Sequence, residues 1–117
     1  MLARANRILN SAEFRLVMSS GERMTTKNFV FFYKRDETLG ASRFGFVVSK
    51  AVGGAVARNS IKRKLRGQSR ELLKGASASD KFWFVVRCLP GASSISSSQI
   101  QSELFGAFRQ LEARPSR

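Results

Sequence analysis

The segment NFVFFYK (residues 28–34) constrains the fold most, because it is apolar at nearly every position. Consecutive β-branched and aromatic residues are typical of a β-strand, in which successive side chains point to opposite faces. A strand that is apolar on both faces is expected to be covered on both by other parts of the chain. Its faces consist of Phe29, Phe31 and Tyr33 on one side and of Val30 and Phe32 on the other.

Two further strands are predicted at RFGFVVS (43–49) and KFWFVVRC (81–88). The polar segment before residue 43 indicates a hairpin loop, so strand 43–49 is predicted to lie antiparallel to strand 28–34. Gly45 lies inside strand 43–49, where the missing side chain permits the close approach of a neighbour or a ligand.

Three helices are predicted from apolar periodicity and from capping patterns. The first runs from Ser11 to Ser20, after a capping-box-like pattern at residues 10–13. The second covers residues 55–73, and the third follows a capping-box pattern formed by Ser98 and Gln101. The predicted order is α-β-β-α-β-α, an α/β (α+β) two-layer sandwich with a small sheet. A chain of 117 residues suits one core, so residues 1–117 are predicted to form a single domain.

The charge of the chain favours a polyanionic partner. Lys and Arg number 21 against eight Asp and Glu, which gives a formal net charge of +13. Nucleic acid is the first candidate for such a charge, ahead of a merely soluble basic surface or an anionic membrane. No apolar run approaches the length of a membrane span, and no secretory signal pattern is recognised, so a cytoplasmic protein without a membrane partner is expected.

The residue inventory argues against catalysis by the chain itself. It has no histidine and one cysteine, so the usual general base and a cysteine-based zinc site are both missing. The few Asp and Glu are scattered, and the sequence assigns no metal ligands. A protein-only nuclease would need a carboxylate cluster, which the sequence does not indicate.

The helix predicted at residues 55–73 separates an apolar stripe from a basic face when its residues are placed at 100° intervals. The segment at residues 50–66 contains no acidic residue, so its like charges repel one another with nothing to offset them. An anionic partner is therefore expected opposite this face, with a solvated helix face as the alternative. The apolar stripe is Ala57, Ile61, Leu65 and Leu72. The basic face is Asn59, Lys62, Arg63, Arg66 and Arg70, with Arg58 at its border and Lys64 on a third side.

The segment VSKAVGGAVARNSIKRKLR (48–66) closely resembles the signature of the bacterial ribonuclease P protein family, which runs approximately V-S-K-K-x-G-x-A-V-x-R-N-R-x-K-R-x-x-R. The resemblance covers nearly the whole chain. The flanking matches are Leu9, Phe14, Val17 and Gly21, then Phe29 with Val30, and finally the residues from Asp80 to Arg87.

The resemblance implies a function as well as a fold. Members of this family have an α/β sandwich with a left-handed β-α-β crossover, and they assist a catalytic RNA that removes the 5′ leader of precursor tRNA. The resemblance therefore implies that the RNA carries out catalysis with Mg²⁺, and that the partners are this RNA and precursor tRNA. No organic cofactor bound to the protein and no obligate protein partner are expected. A small ribosomal or RNA-chaperone protein, which binds RNA without a role in tRNA processing, is the alternative.

The family's functional positions carry over to named residues of this chain. The implied catalytic-RNA contacts are Lys50, Arg58, Asn59, Lys62, Arg63 and Arg66, to which the helix face adds Arg70. The implied cleft for the leader is lined by Phe14, Met18 and Phe32. The chain departs from the family at Ala51 and Ser60, which replace basic residues, and at Met18, which replaces a frequent aromatic. Arg70 and Lys64 are candidates to supply the missing charge.

Overall fold

The apolar strand is paired on both sides in a four-stranded sheet. The computed structural model describes residues 2–75 and 81–114. Across the sheet the order is β1 (Glu22–Thr25), β2 (Phe29–Arg35), β4 (Phe82–Cys88) and β3 (Arg43–Val47). Strand β2 is antiparallel to β1 and β4, whereas β3 is parallel to β4. The sheet is therefore mixed, and the α+β class expected from the sequence is confirmed.

The predicted antiparallel pairing of β3 with β2 is wrong. Strand β3 lies at the edge of the sheet and pairs in parallel with β4, so that Gly45 is opposite Val85. Parallel neighbours need a long crossover, and helix α2 (Ala55–Gly75), which lies between β3 and β4 in the chain, supplies it. The hand of this crossover stays a prediction from the family resemblance.

Strand β1 was not expected from the sequence. It is a short edge strand, ERMT, whose side chains alternate between half-buried and exposed positions. It follows Gly21 directly, and it pairs Glu22 with Tyr33 and Thr25 with Val30. The element order is thus α-β-β-β-α-β-α, one strand longer than predicted.

Helix α1 (Ser11–Ser20) begins and ends where the sequence predicted. The Asn10 side chain accepts a hydrogen bond of 2.9 Å from the backbone N–H of Glu13. The Glu13 carboxylate in turn accepts a bond of 3.2 Å from the backbone N–H of Leu9. The first bond satisfies a donor that the first turn of a helix otherwise leaves free, and the second holds the residue before the cap against the helix.

The predicted start of the last helix is wrong by two residues. Helix α3 runs from Ser97 to Glu112, and its cap is Ser96, whose hydroxyl accepts a bond of 3.2 Å from the N–H of Gln99. Ile95 before the cap and Ile100 in the first turn are both buried. These two side chains occupy the positions of a hydrophobic staple, which explains the choice of Ser96 over the other serines nearby.

The sheet carries helices on both faces. Helices α2 and α3 cover one face, where Ile61 and Leu65 of α2 join Phe31 and Phe84 of the sheet in the larger core. Helix α1 lies on the other face, where Val17 packs with Val30 and Phe32 in a smaller core. None of the helices in the described part of the chain is long and apolar enough to cross a lipid bilayer.

Helix α1 runs obliquely over its face of the sheet. Near its start, the ring of Phe14 lies against Gly45 of β3. At its end, Gly21 lies against the carbonyl group of Tyr33 in β2. The helix therefore crosses this face from β3 toward β2.

Candidate nucleic-acid interface

Helix α2 divides into a buried stripe and a basic surface. Ile61, Leu65, Ser69 and Leu72 are buried, and Ala57 is half-buried. This largely matches the predicted apolar stripe, with Ser69 as an addition. The predicted RNA-binding residues all remain at least partly accessible: Lys50, Asn59, Arg63 and Arg70 are exposed, and Arg58, Lys62 and Arg66 are half-buried.

The positive charge of this surface is not neutralised within residues 2–75 and 81–114. The ion pairs found there join Arg43 to Glu13, Lys74 to Glu71 and Arg114 to Glu22, and none includes a predicted RNA-binding residue. The Nε atom of Arg58 is buried and has no hydrogen-bond partner among the described residues. A basic helix face whose cations form no ion pair among the described residues is the electrostatic pattern of a surface that binds a polyanion.

Lys64 does not belong to this basic face. Its Nζ atom donates a hydrogen bond of 3.2 Å to the carbonyl oxygen of Ile95, just before α3. The suggestion that Lys64 replaces the charge missing at Ser60 stays a prediction, and this hydrogen bond places its ammonium group at the end of the Pro90–Ser94 turn. Arg70 is exposed and keeps that role as a candidate.

The predicted cleft residues lie together on the α1 side of the sheet. Phe14 and Met18 are half-buried and pack against the smaller core that contains Phe32. Phe32 itself is 4% exposed, and the guanidinium carbon of Arg23 lies over its ring, 5.8 Å from the centroid. Phe32 thus belongs to the smaller core, and almost none of its ring is open for direct stacking with a base.

Arg87 is a cleft residue that the predicted site did not include. It is exposed on β4, between Val30 of β2 and Val47 of β3 in the register of the sheet. The alternation of KFWFVVRC places it on the same face as Trp83 and Val85, so the strand pattern contained the signal. Near the end of β4 and next to the apolar Val30 and Val47, the exposed guanidinium of Arg87 can contact a phosphate.

A pocket of about 130 Å³ connects the cleft to the basic face of α2. Phe14 and Gly45 line it from the α1 side, and Lys62 and Arg66 line it from the α2 side. The two predicted surfaces thus meet beside β3, whose outer edge is bridged by the N-terminal segment through the pair Arg7 and Phe44 and a hydrogen bond of 2.9 Å from the N–H of Ile8 to the carbonyl oxygen of Phe44. Arg7 also lines the pocket, although its guanidinium donates two hydrogen bonds, of 3.0 and 2.7 Å, to the carbonyl oxygen of Leu2.

Cys88 is buried in the larger core. Burial raises the pKa of its thiol to about 12, against a smaller opposing effect of Lys62. The thiol is therefore protonated at neutral pH and does not serve as a nucleophile. Among the described residues, no three His, Cys, Asp or Glu side chains come together in a group that could hold a metal ion.

The fold and this surface define a small basic α+β protein with a mixed four-stranded sheet and an uncompensated cationic helix. A family model described as Ribonuclease P matches residues 2–112. The chain belongs to the ribonuclease P protein family, as its signature segment predicted.

Relatives and solved structures agree with this assignment. The ribonuclease P protein component of Mycolicibacterium paratuberculosis is 37% identical over 97% of each chain. That of Clavibacter michiganensis is 36% identical over 92% of this chain and 93% of the relative. The structure of the Staphylococcus aureus RNase P protein is 27% identical, with a TM-score of 0.79, and the match covers 92% of this chain and 95% of that one.

The RNase P protein from Thermotoga maritima shares the same fold. Its TM-score is 0.78 at 22% identity, over 92% of this chain and 98% of that one. Family membership places the chain among the RNA-binding ribonucleoprotein components that act in tRNA processing, as part of a ribonuclease holoenzyme.

Proposed function

We propose that this chain binds the catalytic RNA of ribonuclease P through the basic face of α2 and holds the 5′ leader of precursor tRNA in the cleft beside α1. It thereby assists removal of the leader, which gives the mature 5′ end of the tRNA. The observation that carries this proposal is the pocket at the edge of β3, where Phe14 of the cleft and Lys62 and Arg66 of α2 line one cavity. An RNA bound on the α2 face and a leader in the cleft would meet there.

The basic face of α2 suits docking of a folded RNA. A helix is rigid, so the relative positions of Arg58, Lys62 and Arg66 are fixed before binding. Each phosphate that they neutralise releases condensed counterions, which favours association at low salt. Lys50, Asn59, Arg63 and Arg70 extend the same face toward solvent.

The cleft suits a single strand better than a duplex. Its floor is formed by the side chains of one sheet face, and its wall by α1 with Phe14 and Met18. An unpaired nucleotide can place its base against such an apolar wall while its phosphate contacts a cation such as Arg87. A paired base cannot, because both of its faces are already stacked.

Catalysis is assigned in this proposal to the RNA subunit, which uses Mg²⁺. The side chains of the protein bind and neutralise phosphates. By reducing phosphate repulsion where leader and catalytic RNA meet, the protein is expected to strengthen substrate binding and to lower the Mg²⁺ concentration that cleavage requires.

The test is cleavage of a precursor tRNA by bacterial ribonuclease P RNA at low Mg²⁺, with and without the protein, beside a reaction that contains protein alone. Stimulation that requires the RNA is the expected result. Tight RNA binding without stimulation would favour the ribosomal or RNA-chaperone alternative. Cleavage by protein alone would overturn the assignment of catalysis to the RNA.

A matched pair of variants tests the docking face. Lys62→Glu is expected to weaken assembly with the catalytic RNA and to reduce the salt dependence of binding by about one unit of slope, for one lost phosphate contact. Arg109→Glu alters an exposed arginine of α3 and serves as the control. If both changes weakened RNA binding equally, the basic face of α2 would not be the surface that binds the catalytic RNA.

A further inference from the structure

Arg23 occupies a defined position over the α1 face of the sheet. It is opposite Phe32 in the register of β1 and β2, and its guanidinium lies over the Phe32 ring. The ring is 4% exposed, whereas Arg23 is exposed. The guanidinium is therefore within cation–π range of a ring that solvent hardly reaches, while Arg23 itself remains exposed.

The charge of Arg23 has no counterpart in the described part of the chain. No carboxylate there forms an ion pair with it, and no acceptor there takes a hydrogen bond from its guanidinium. Its neighbour Glu22 lies on the opposite face of β1, 3.9 Å from Arg114. Arg114 also donates a hydrogen bond of 3.0 Å to the carbonyl oxygen of Arg23. The backbone of Arg23 is thus held in place while its cation is left unpaired.

Arg23 and Arg87 lie on the same face of the sheet, and both are exposed. Arg23 on β1 is opposite Phe32, and Arg87 on β4 is opposite Val30. Their backbones are therefore two strand spacings and two residues apart, roughly 12 Å in all. Between them lies Val30, which is opposite Arg87 in the register. Two unpaired cations separated by an apolar strip match a strand that alternates phosphates with bases.

We propose that Arg23 is a further leader-contacting residue, whose guanidinium stacks between the Phe32 ring beneath it and a nucleobase of the single-stranded leader above it. This inference rests on the proposed function of the cleft. A guanidinium plane stacks on nucleobases as it does on aromatic rings, and its charge also attracts the adjacent phosphate. Phe32 thus acts through Arg23, which explains how a buried ring still shapes a binding surface.

The experiment measures the affinity of the reconstituted holoenzyme, made from the full chain and the catalytic RNA, for two precursor tRNAs. One has a long single-stranded leader, and the other has a leader too short to enter the cleft. Arg23→Ala is expected to weaken binding of the long-leader substrate on the order of tenfold and to leave the short-leader substrate unchanged. Arg23→Lys is expected to keep the salt dependence but not the affinity, because an ammonium group has no plane to stack.

Arg109→Ala, which removes an exposed arginine from α3, is the control and is expected to change neither affinity. The stacking role would be overturned if Arg23→Ala kept the wild-type ratio of affinities for the two substrates. It would also be overturned if Arg23→Lys bound the long-leader substrate as tightly as wild type. If the wild-type holoenzyme does not discriminate between the leaders at all, the leader cleft itself is wrong and this inference falls with it. Melting temperatures of the variants show whether a loss comes from the site or from the fold.

Discussion

The ring of Phe14 packs directly on the backbone of Gly45. A Cβ atom built at Gly45 would lie 2.5 Å from Cε1 of Phe14 and 2.9 Å from Cδ1 of Ile8. Real Cβ atoms essentially never approach other atoms below 3.0 Å, so a methyl group at this position would require the side chains of Phe14 and Ile8 to shift. The close neighbour that the sequence led us to expect at Gly45 is therefore α1, and this contact positions the start of the cleft wall.

Gly45→Ala is expected to displace Phe14 and to lower the free energy of unfolding by about 1 to 3 kcal/mol, the usual cost of overpacking. Urea denaturation measures this change. Gly67→Ala is the control, because Gly67 lies inside α2 and a Cβ there has nothing within 4 Å. It is expected to raise the free energy of unfolding by about 0.5 to 1 kcal/mol. Wild-type stability in Gly45→Ala would show that α1 accommodates the methyl group.

Glu103 of α3 joins the turn between β1 and β2 to the helix layer. Its carboxylate accepts hydrogen bonds of 2.6 Å from the Thr26 hydroxyl and from the Asn28 side-chain amide, and of 3.1 Å from the Asn28 backbone N–H and the Gln99 amide. Partial burial acts to raise its pKa, but these hydrogen bonds together hold the pKa of Glu103 below its ordinary value.

Glu103→Gln is expected to lower the free energy of unfolding at pH 7 by about 1 to 3 kcal/mol, because charge-assisted hydrogen bonds are lost. Since the folded pKa of Glu103 is below the unfolded one, its contribution is fully present above the unfolded pKa and is lost as the pH falls through the folded pKa. The difference in the free energy of unfolding between wild type and Glu103→Gln should therefore become smaller as the pH is lowered. Glu71→Gln, at an exposed pair with Lys74, is the control. A gap independent of pH would contradict this account.

Ser69 is fully buried in α2, and its hydroxyl has no hydrogen-bond partner among the described residues. Ser69→Ala is expected to raise the free energy of unfolding by about 0.5 to 2 kcal/mol, because it removes an unsatisfied polar group and improves helix propensity. Ser60→Ala, at a half-buried position of the same helix, reports the propensity effect alone. A loss of stability in Ser69→Ala would mean that the hydroxyl has a partner.

The sequence was sufficient to predict those features of the fold that depend on one short segment. Asn10 and Gly21 set the ends of α1, and the alternation of β2 correctly separated Phe31 from Phe32. Strand β1 was not predicted, because an edge strand of four residues that mixes polar and apolar side chains has no recognisable apolar pattern. The partner of β3 was mistaken because parallel pairing depends on the long crossover through α2, which no local pattern encodes.

Some residues of the candidate site could also be predicted from a local pattern, and others could not. The helical period of α2 was enough to place Lys62 and Arg66 on the surface away from Leu65. By contrast, the burial of Phe32 and the position of Arg23 above it depend on pairing between β1 and β2, which the sequence did not reveal. The hydrogen bond from Lys64 to the carbonyl oxygen of Ile95 likewise joins two segments that lie far apart in the chain.

Adjacent residues of β4 belong to different surfaces of the molecule. Val85 and Arg87 face α1 and the cleft, while Phe84 and Val86 face the larger core beneath α2 and α3. Substitutions can therefore accumulate on one side of the strand during evolution while the other side is preserved. An inserted or deleted residue in β4 is different, because it exchanges the two sides at once. Strand β4 should therefore tolerate substitutions, but it should not tolerate the insertion or deletion of a residue.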